Sequence, residues 1–171
     1  MKKLLIIALL IVISAGCRQK QEPKGQQNFG PNPMQTAEEV RKLQDIVKSN
    51  PSNAGAWTSL GNVLMDSARF QEAVDAYQQA LALDPKNVDV RVDMGTCYRN
   101  SGKPDKAVQE YRKALEINPN HINAHRNLAV VLAYDLKDKA QAAAEFEKYV
   151  QLAPNAPDAA QIRQTIEELQ K

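Results

Sequence analysis

Apolar side chains recur at helical spacing along most of this chain, and prolines interrupt the pattern at nearly constant intervals. Pro51, Pro85, Pro119 and Pro154 are 34, 34 and 35 residues apart, and each follows an amphipathic run of period near 3.6. Proline lacks an N–H and disfavours helical geometry in the residue before it, so each one predicts a helix end. The Asn or Asp residues beside these prolines suit turns and caps. Each interval has room for two helices and a tight turn. Before the first full interval, Thr36-x-x-Glu39 has the form of a capping box and opens a predicted helix to Ser49. Its Leu43 and Ile46 fall in register with the second helix of a unit, which makes it half a repeat. After Pro154, Ile162, Ile166 and Leu169 share one face of a closing helix whose other face is charged. The pattern therefore predicts eight helices and no strands.

Within the intervals the same residue types return. The first unit has Trp57-x-x-Leu60-Gly61-x-x-Leu64, Ala73-x-x-x-Tyr77-x-x-Ala80 and Pro85. The second has Met94-Gly95-x-x-Tyr98, Ala107-x-x-x-Tyr111-x-x-Ala114 and Pro119, with Arg91 in the place of Trp57. The third has Leu128-Ala129-x-x-Leu132, Ala142-x-x-x-Phe146-x-x-Tyr149 and Pro154, with an extra residue expected in the turn around Lys137 to Lys139. Small residues at 61 and 73, 95 and 107, and 129 and 142 allow two helices to approach, while Tyr77, Tyr111 and Phe146 fill the remaining space. These motifs resemble the tetratricopeptide repeat across residues 36–171. The resemblance implies an all-α, right-handed solenoid of antiparallel helix pairs. Its parts would be a half repeat over 36–51, repeats over 54–87, 88–121 and 122–155, and a capping helix over 156–171.

The N-terminus carries a different pattern. Lys2 and Lys3 precede the apolar run Leu4 to Ile13, followed by Ser14-Ala15-Gly16 and Cys17, as in a signal peptide over residues 1–16. The apolar run is shorter than the roughly 20 residues that span a bilayer as a helix. Ile13-Ser14-Ala15-Gly16-Cys17 resembles the bacterial lipobox, with Ser14 where Leu is usual, and the resemblance implies lipidation of Cys17 and cleavage before it. Two or three acyl chains would hold the protein at the membrane durably. Arg18, where an Asp would signal inner-membrane retention, implies the periplasmic side of the outer membrane in a Gram-negative cell. Residues 17–35, rich in Gln, Gly and Pro, predict a flexible tether with an end-to-end distance of roughly 20 to 25 Å.

Charge narrows the functional classes. The formal net charge of +2 is that of Lys2 and Lys3, so the remainder is balanced and lacks the basic surplus that phosphate backbones require. No Gly spacing for a phosphate loop precedes Gly102-Lys103, and no Gly-x-Ser-x-Gly elbow occurs. His121 and His125 are four apart but lack the further ligands of a zinc site. His125 takes the place of Trp57, and His121 reads as an exposed turn residue. Cys97 reads as a small apolar side chain in a helix. No cofactor, metal, enzymatic activity or small-molecule substrate is expected.

The expected function is that of an adaptor for a protein or peptide partner, acting in assembly of an envelope, pilus or secretion complex. The alternative is a self-associating scaffold, against which polar Glu167, Glu168, Gln170 and Lys171 argue. In the family the first helix of each pair lines a concave groove. Carried over, that rule implies Thr58, Asn62, Met65 and Asp66 in unit one. It implies Asp89, Thr96, Arg99 and Asn100 in unit two, and Asn123, Arg126, Val130 and Tyr134 in unit three. Arg99 and Arg126 are expected to grip a carboxylate of the partner. Thr58 breaks the carboxylate clamp used by members that bind chaperone tails.

Overall fold

The computed structural model describes residues 33–171. The signal peptide, Cys17 and all of the tether but its last three residues lie outside the described residues. Eight α-helices follow one another: α1 (Pro33–Ser49), α2 (Ala54–Asp66), α3 (Phe70–Leu83), α4 (Val88–Asn100), α5 (Pro104–Ile117), α6 (Ile122–Val130), α7 (Lys139–Leu152) and α8 (Ala159–Leu169). Each packs on the next, and there is no strand among the described residues. The three hairpins are α2–α3, α4–α5 and α6–α7. α1 packs on α2 in the place of a preceding second helix, and α8 covers α7.

The hairpins close on glycine against tyrosine. A Cβ placed on Gly61 would lie 2.4 Å from the Tyr77 ring, and one on Gly95 would lie 2.6 Å from that of Tyr111. Both rings are almost wholly buried. Glycine in a helix costs about 1 kcal/mol against alanine. Burying an aromatic ring contributes about 2 to 3 kcal/mol, so the close approach wins. In unit three the counterparts Phe146 and Ala129 are both buried.

Helix starts repeat in the same register. Asn53 and Asn87 cap α2 and α4 by accepting from the N–H of Ala56 (3.0 Å) and Val90 (3.1 Å). His121 stands 34 residues after Asn87, and its Nδ1 accepts from Ala124 N–H at 3.1 Å. It is thus a cap with a side chain only 14% exposed, not the exposed turn residue that the sequence suggested.

Two boundaries also differ from expectation. α1 begins at Pro33, so Thr36 and Glu39 lie inside the helix, and residues 33–35 belong to it rather than to a tether. Proline is favoured in a helix's first turn, where its missing N–H has no partner to lose. The extra residue of unit three is not in the turn. It is wound into a π-helical segment, Val131–Asp135, at the end of α6.

The turn itself keeps the form of the others. α2 and α4 end with left-handed residues, Ala68 (φ 58°) and Gly102 (φ 74°), and Lys137 (φ 61°) does the same after the π segment. In the first two units the closing bonds are Arg69 N–H to Leu64 O and Lys103 N–H to Tyr98 O, both 2.9 Å. In the third, Asp138 N–H reaches Leu132 O at 2.8 Å, one residue further.

Candidate functional site

α2, α4 and α6 are neighbours in space, α2 against α4 and α4 against α6. Residues one turn apart on these helices form a continuous polar face. Asn62 and Asp66 come from α2, Asp89, Asp93, Thr96 and Asn100 from α4, and Asn123 and Asn127 from α6, whose last residue, Val130, is apolar.

Beneath this face the rings that fill the hairpins surface by their hydroxyls. Tyr77 OH donates to Asn62 Oδ1 at 2.8 Å and lies 3.8 Å from Met65 Sδ. Tyr111 OH shares a hydrogen bond of 3.1 Å with Thr96 Oγ1, which also accepts from Asn127 Nδ2 at 3.4 Å. Burial pushes both phenols up, Tyr111 to about 12. The hydroxyls are therefore neutral donors that orient the groove amides. Thr58 bonds back to Ala54 O of its own helix and lies outside this network.

Each of the two arginines expected to grip a partner's carboxylate is paired with an acid of the chain itself. Arg99 Nε donates to Asp135 Oδ2 at 2.6 Å, and Arg126 Nε donates to Asp158 Oδ2 at 2.9 Å. Asp158 also accepts from Tyr149 OH, so the large residue that replaces Ala80 and Ala114 ties α7 to the turn before α8. The Tyr149 bond, aided by Arg126, holds the Asp158 carboxyl below its ordinary value. Arg99 reaches its acid because the π segment precedes the turn, delivering Asp135 from unit three to unit two. Tyr134, in the same segment, is 54% exposed.

Asp66, Asp89 and Asp93 are the acids of the three helices on this face. Asp89 is paired with His121, whose Nε2 lies 2.9 Å from Asp89 Oδ1. Since His121 Nδ1 accepts the capping N–H, its Nε2 carries a proton and donates. Asp93, half-buried, has no hydrogen bond or ion pair among the described residues, and neither has Asp66. Burial, with Asp89 and Asp66 nearby, raises the Asp93 carboxyl above its ordinary value, and His121 opposes this. Asp93 and Asn127 were missed in the sequence. Their signal was the helical step of four from Asp89 and Asn123.

His125 is buried, with Nε2 2.9 Å from Pro119 O and Nδ1 2.6 Å from Glu145 Oε2. Both histidines are thus engaged in the fold, and no group of three or more His, Cys, Asp and Glu among the described residues is arranged to hold a metal ion. Burial pushes the Cys97 thiol up to about 12, which leaves it an unreactive core residue. Two clefts, about 470 Å³ around Trp57 and Ala76 and about 540 Å³ around His125 and Glu145, share no residue with the polar face. No helix among the described residues is long and apolar enough to cross a membrane.

The family described as "Cytochrome c-type biogenesis protein H TPR domain" matches residues 33–160. The chain belongs to this family. Its tetratricopeptide domain is similar in fold to two solved structures of MamA. The first has a TM-score of 0.72 at 18% identity, covering 80% of this chain and 74% of that one. The second has a TM-score of 0.67 at 15% identity, covering 85% and 96%. The Arabidopsis OM64 TPR domain aligns with a TM-score of 0.63 at 19% identity, covering 67% and 94%. No match was found among curated protein sequences. Tetratricopeptide domains are protein-interaction modules, typically without catalysis, and the solenoid provides the extended concave surface such modules use.

Proposed function

We propose that this tetratricopeptide domain is a membrane-tethered adaptor that holds an extended polypeptide along the α2, α4 and α6 face during assembly of an envelope complex. The observation that carries the reading is a division of labour on that face. Arg99–Asp135 and Arg126–Asp158 brace neighbouring units, while Asp66, Asp93, Asn100 and Asn123 have no side-chain partner among the described residues. A rigid scaffold with unspent donors and acceptors suits recognition of an extended backbone. The biogenesis role named for the family supports assembly as the setting. The lipobox-like Ile13 to Cys17 supports attachment through Cys17, and Arg18 supports the outer membrane.

A photocrosslinking residue at Asn100 or Asn123 in the membrane-bound chain, compared with one at Glu116 outside this face, tests the site. Products identified by mass spectrometry should come from the two groove positions. Crosslinks from Glu116 alone would place the partner elsewhere and end this reading. Cys17→Ser should release the protein from the membrane fraction; unchanged sedimentation of that variant would remove the lipid tether.

A further inference from the structure

We infer that His125 and Glu145 form a proton-dependent latch between α6 and α7, closed while the imidazole ring holds both of its protons and opened when one of them is lost.

The buried ring lies between two groups that accept and do not donate. Its Nε2 is 2.9 Å from the carbonyl oxygen of Pro119, which has no proton to offer, so Nε2 carries one. Its Nδ1 is 2.6 Å from Oε2 of Glu145, and an ionised carboxylate likewise only accepts. With Glu145 ionised, both contacts are satisfied together only by an imidazolium ring. A neutral ring has a single N–H, and with that proton on Nε2 it turns a lone pair toward the carboxylate. The hydrogen bond joining the two helices then becomes a repulsion.

The other units fill the same slot with donors that keep their protons. Trp57 and Arg91 each donate to a proline carbonyl six residues earlier, and neither indole nor guanidinium gives up its proton near neutral pH. Only in unit three does the number of donors depend on pH. The walls of the cleft of about 540 Å³ beside the ring carry Arg112 and Glu116 from α5 and Lys148 with Glu145 from α7. Two acids and two cations balance there, and Arg112 and Lys148 donate to Gln141 and Gln151. His121 and Arg126, the other ionisable residues at this end of α6, face Asp89 and Asp158 instead. Asn123 and Asn127 are each two residues from His125, a little over half a helical turn, so they lie on the opposite side of α6. Opening the latch thus loosens the helix that presents them on the polar face.

The test uses the purified full-length chain in detergent beside two variants. His125→Arg imports the donor of unit two, and Glu145→Gln supplies an amide that can donate to a neutral Nδ1. Between about pH 6 and about pH 9 the melting temperature of the parent should fall by about 3 °C or more relative to each variant. The comparison cancels the titration of His121 and Cys97, which all three chains share. Ring-nitrogen NMR of the histidine-labelled parent, with His121→Asn to assign the signals, should show His125 doubly protonated at about pH 6 and its Nδ1 proton lost by about pH 9. A His125 ring that is neutral at the lower pH or still doubly protonated at the higher, or parallel melting profiles in all three chains, would overturn the latch. Where a variant fails to fold, the ring signals of the parent decide alone.

Discussion

Arg91 and Glu110 form the most deeply placed ion pair of the domain, Nη1 to Oε2 at 2.9 Å, where unit one has Trp57 and Ala76. Unit three has His125 and Glu145 at the same two positions. In every unit the first of the pair also donates to a proline carbonyl six residues before it: Trp57 to Pro51, Arg91 to Pro85 and His125 to Pro119, all at 2.9 Å. One structural duty is thus met by indole, guanidinium and imidazole. The partner changes with the donor, Ala beside the large neutral ring and Glu beside the two cation-forming groups.

Removing half of the Arg91 pair should be costly. Glu110→Ala leaves a guanidinium whose Nε already lacks a partner in a site 14% exposed, and it should lose about 3 kcal/mol in urea unfolding. Arg91→Trp with Glu110→Ala, which imports the first unit's pair, should return to within about 1.5 kcal/mol of the parent. A double variant no more stable than Glu110→Ala would show that the pairs are not interchangeable.

Gly95→Ala sets helix propensity against packing. The methyl group gains about 1 kcal/mol in the helix and meets the Tyr111 ring at 2.6 Å, where overpacking costs about 1 to 3 kcal/mol. A net loss of stability is expected, and thermal unfolding reads it directly. Pairing it with Tyr111→Phe should not relieve the clash, since the contact is with ring carbons rather than the hydroxyl.

Ala68 holds a left-handed conformation that its counterpart Gly102 adopts without strain. Ala68→Gly should therefore raise stability by about 0.5 to 1 kcal/mol, the relief of the left-handed penalty less the added entropy of the unfolded chain. A lower melting temperature for this variant would contradict the account of the turn.

The pH dependence of Asp93 has a definite sign. Its folded carboxyl is raised above the ordinary aspartate value of 3.8 by burial and by Asp89 and Asp66, so the folded state binds this proton more tightly than the unfolded state. Its ionised form is then a destabilising contribution at neutral pH, relieved as the pH falls through the raised value toward 3.8. Asp93→Asn should be more stable than the parent at pH 7, and the difference should shrink on acidification. Asp158 runs the other way. Its lowered carboxyl stabilises the fold above 3.8, and that contribution is lost as the pH falls below it. A constant gap between parent and Asp93→Asn across this range would remove the repulsion argument.

The repeat positions were legible because one physical requirement recurs at each. Gly against Tyr, the proline after each hairpin and the apolar stripe of α8 all appear where the periodicity placed them. What escaped was chemistry in which an unlike residue performs the same task. His121 does not look like Asn53, yet its ring nitrogen caps in the same register. Arg99 and Arg126 sit on the face that the family pattern indicates, but their acids come from 36 and 32 residues further along, beyond the reach of local pattern. Asp93 and Asn127 lay on the helical step and needed the packing of α2, α4 and α6 to bring them together.

The π-wound end of α6 shows where this solenoid stores a change of length. The surplus residue is coiled into the helix, so Lys137 still closes the unit and α7 starts in step with its counterparts. Taking one residue out of Val131–Asp135 would leave the loop intact and turn the side chains of α6 by about 100° relative to those of α7. Arg99 would then lose the acid it reaches across the boundary between units. An indel in this domain is felt as rotation, by the neighbour rather than by the unit that carries it.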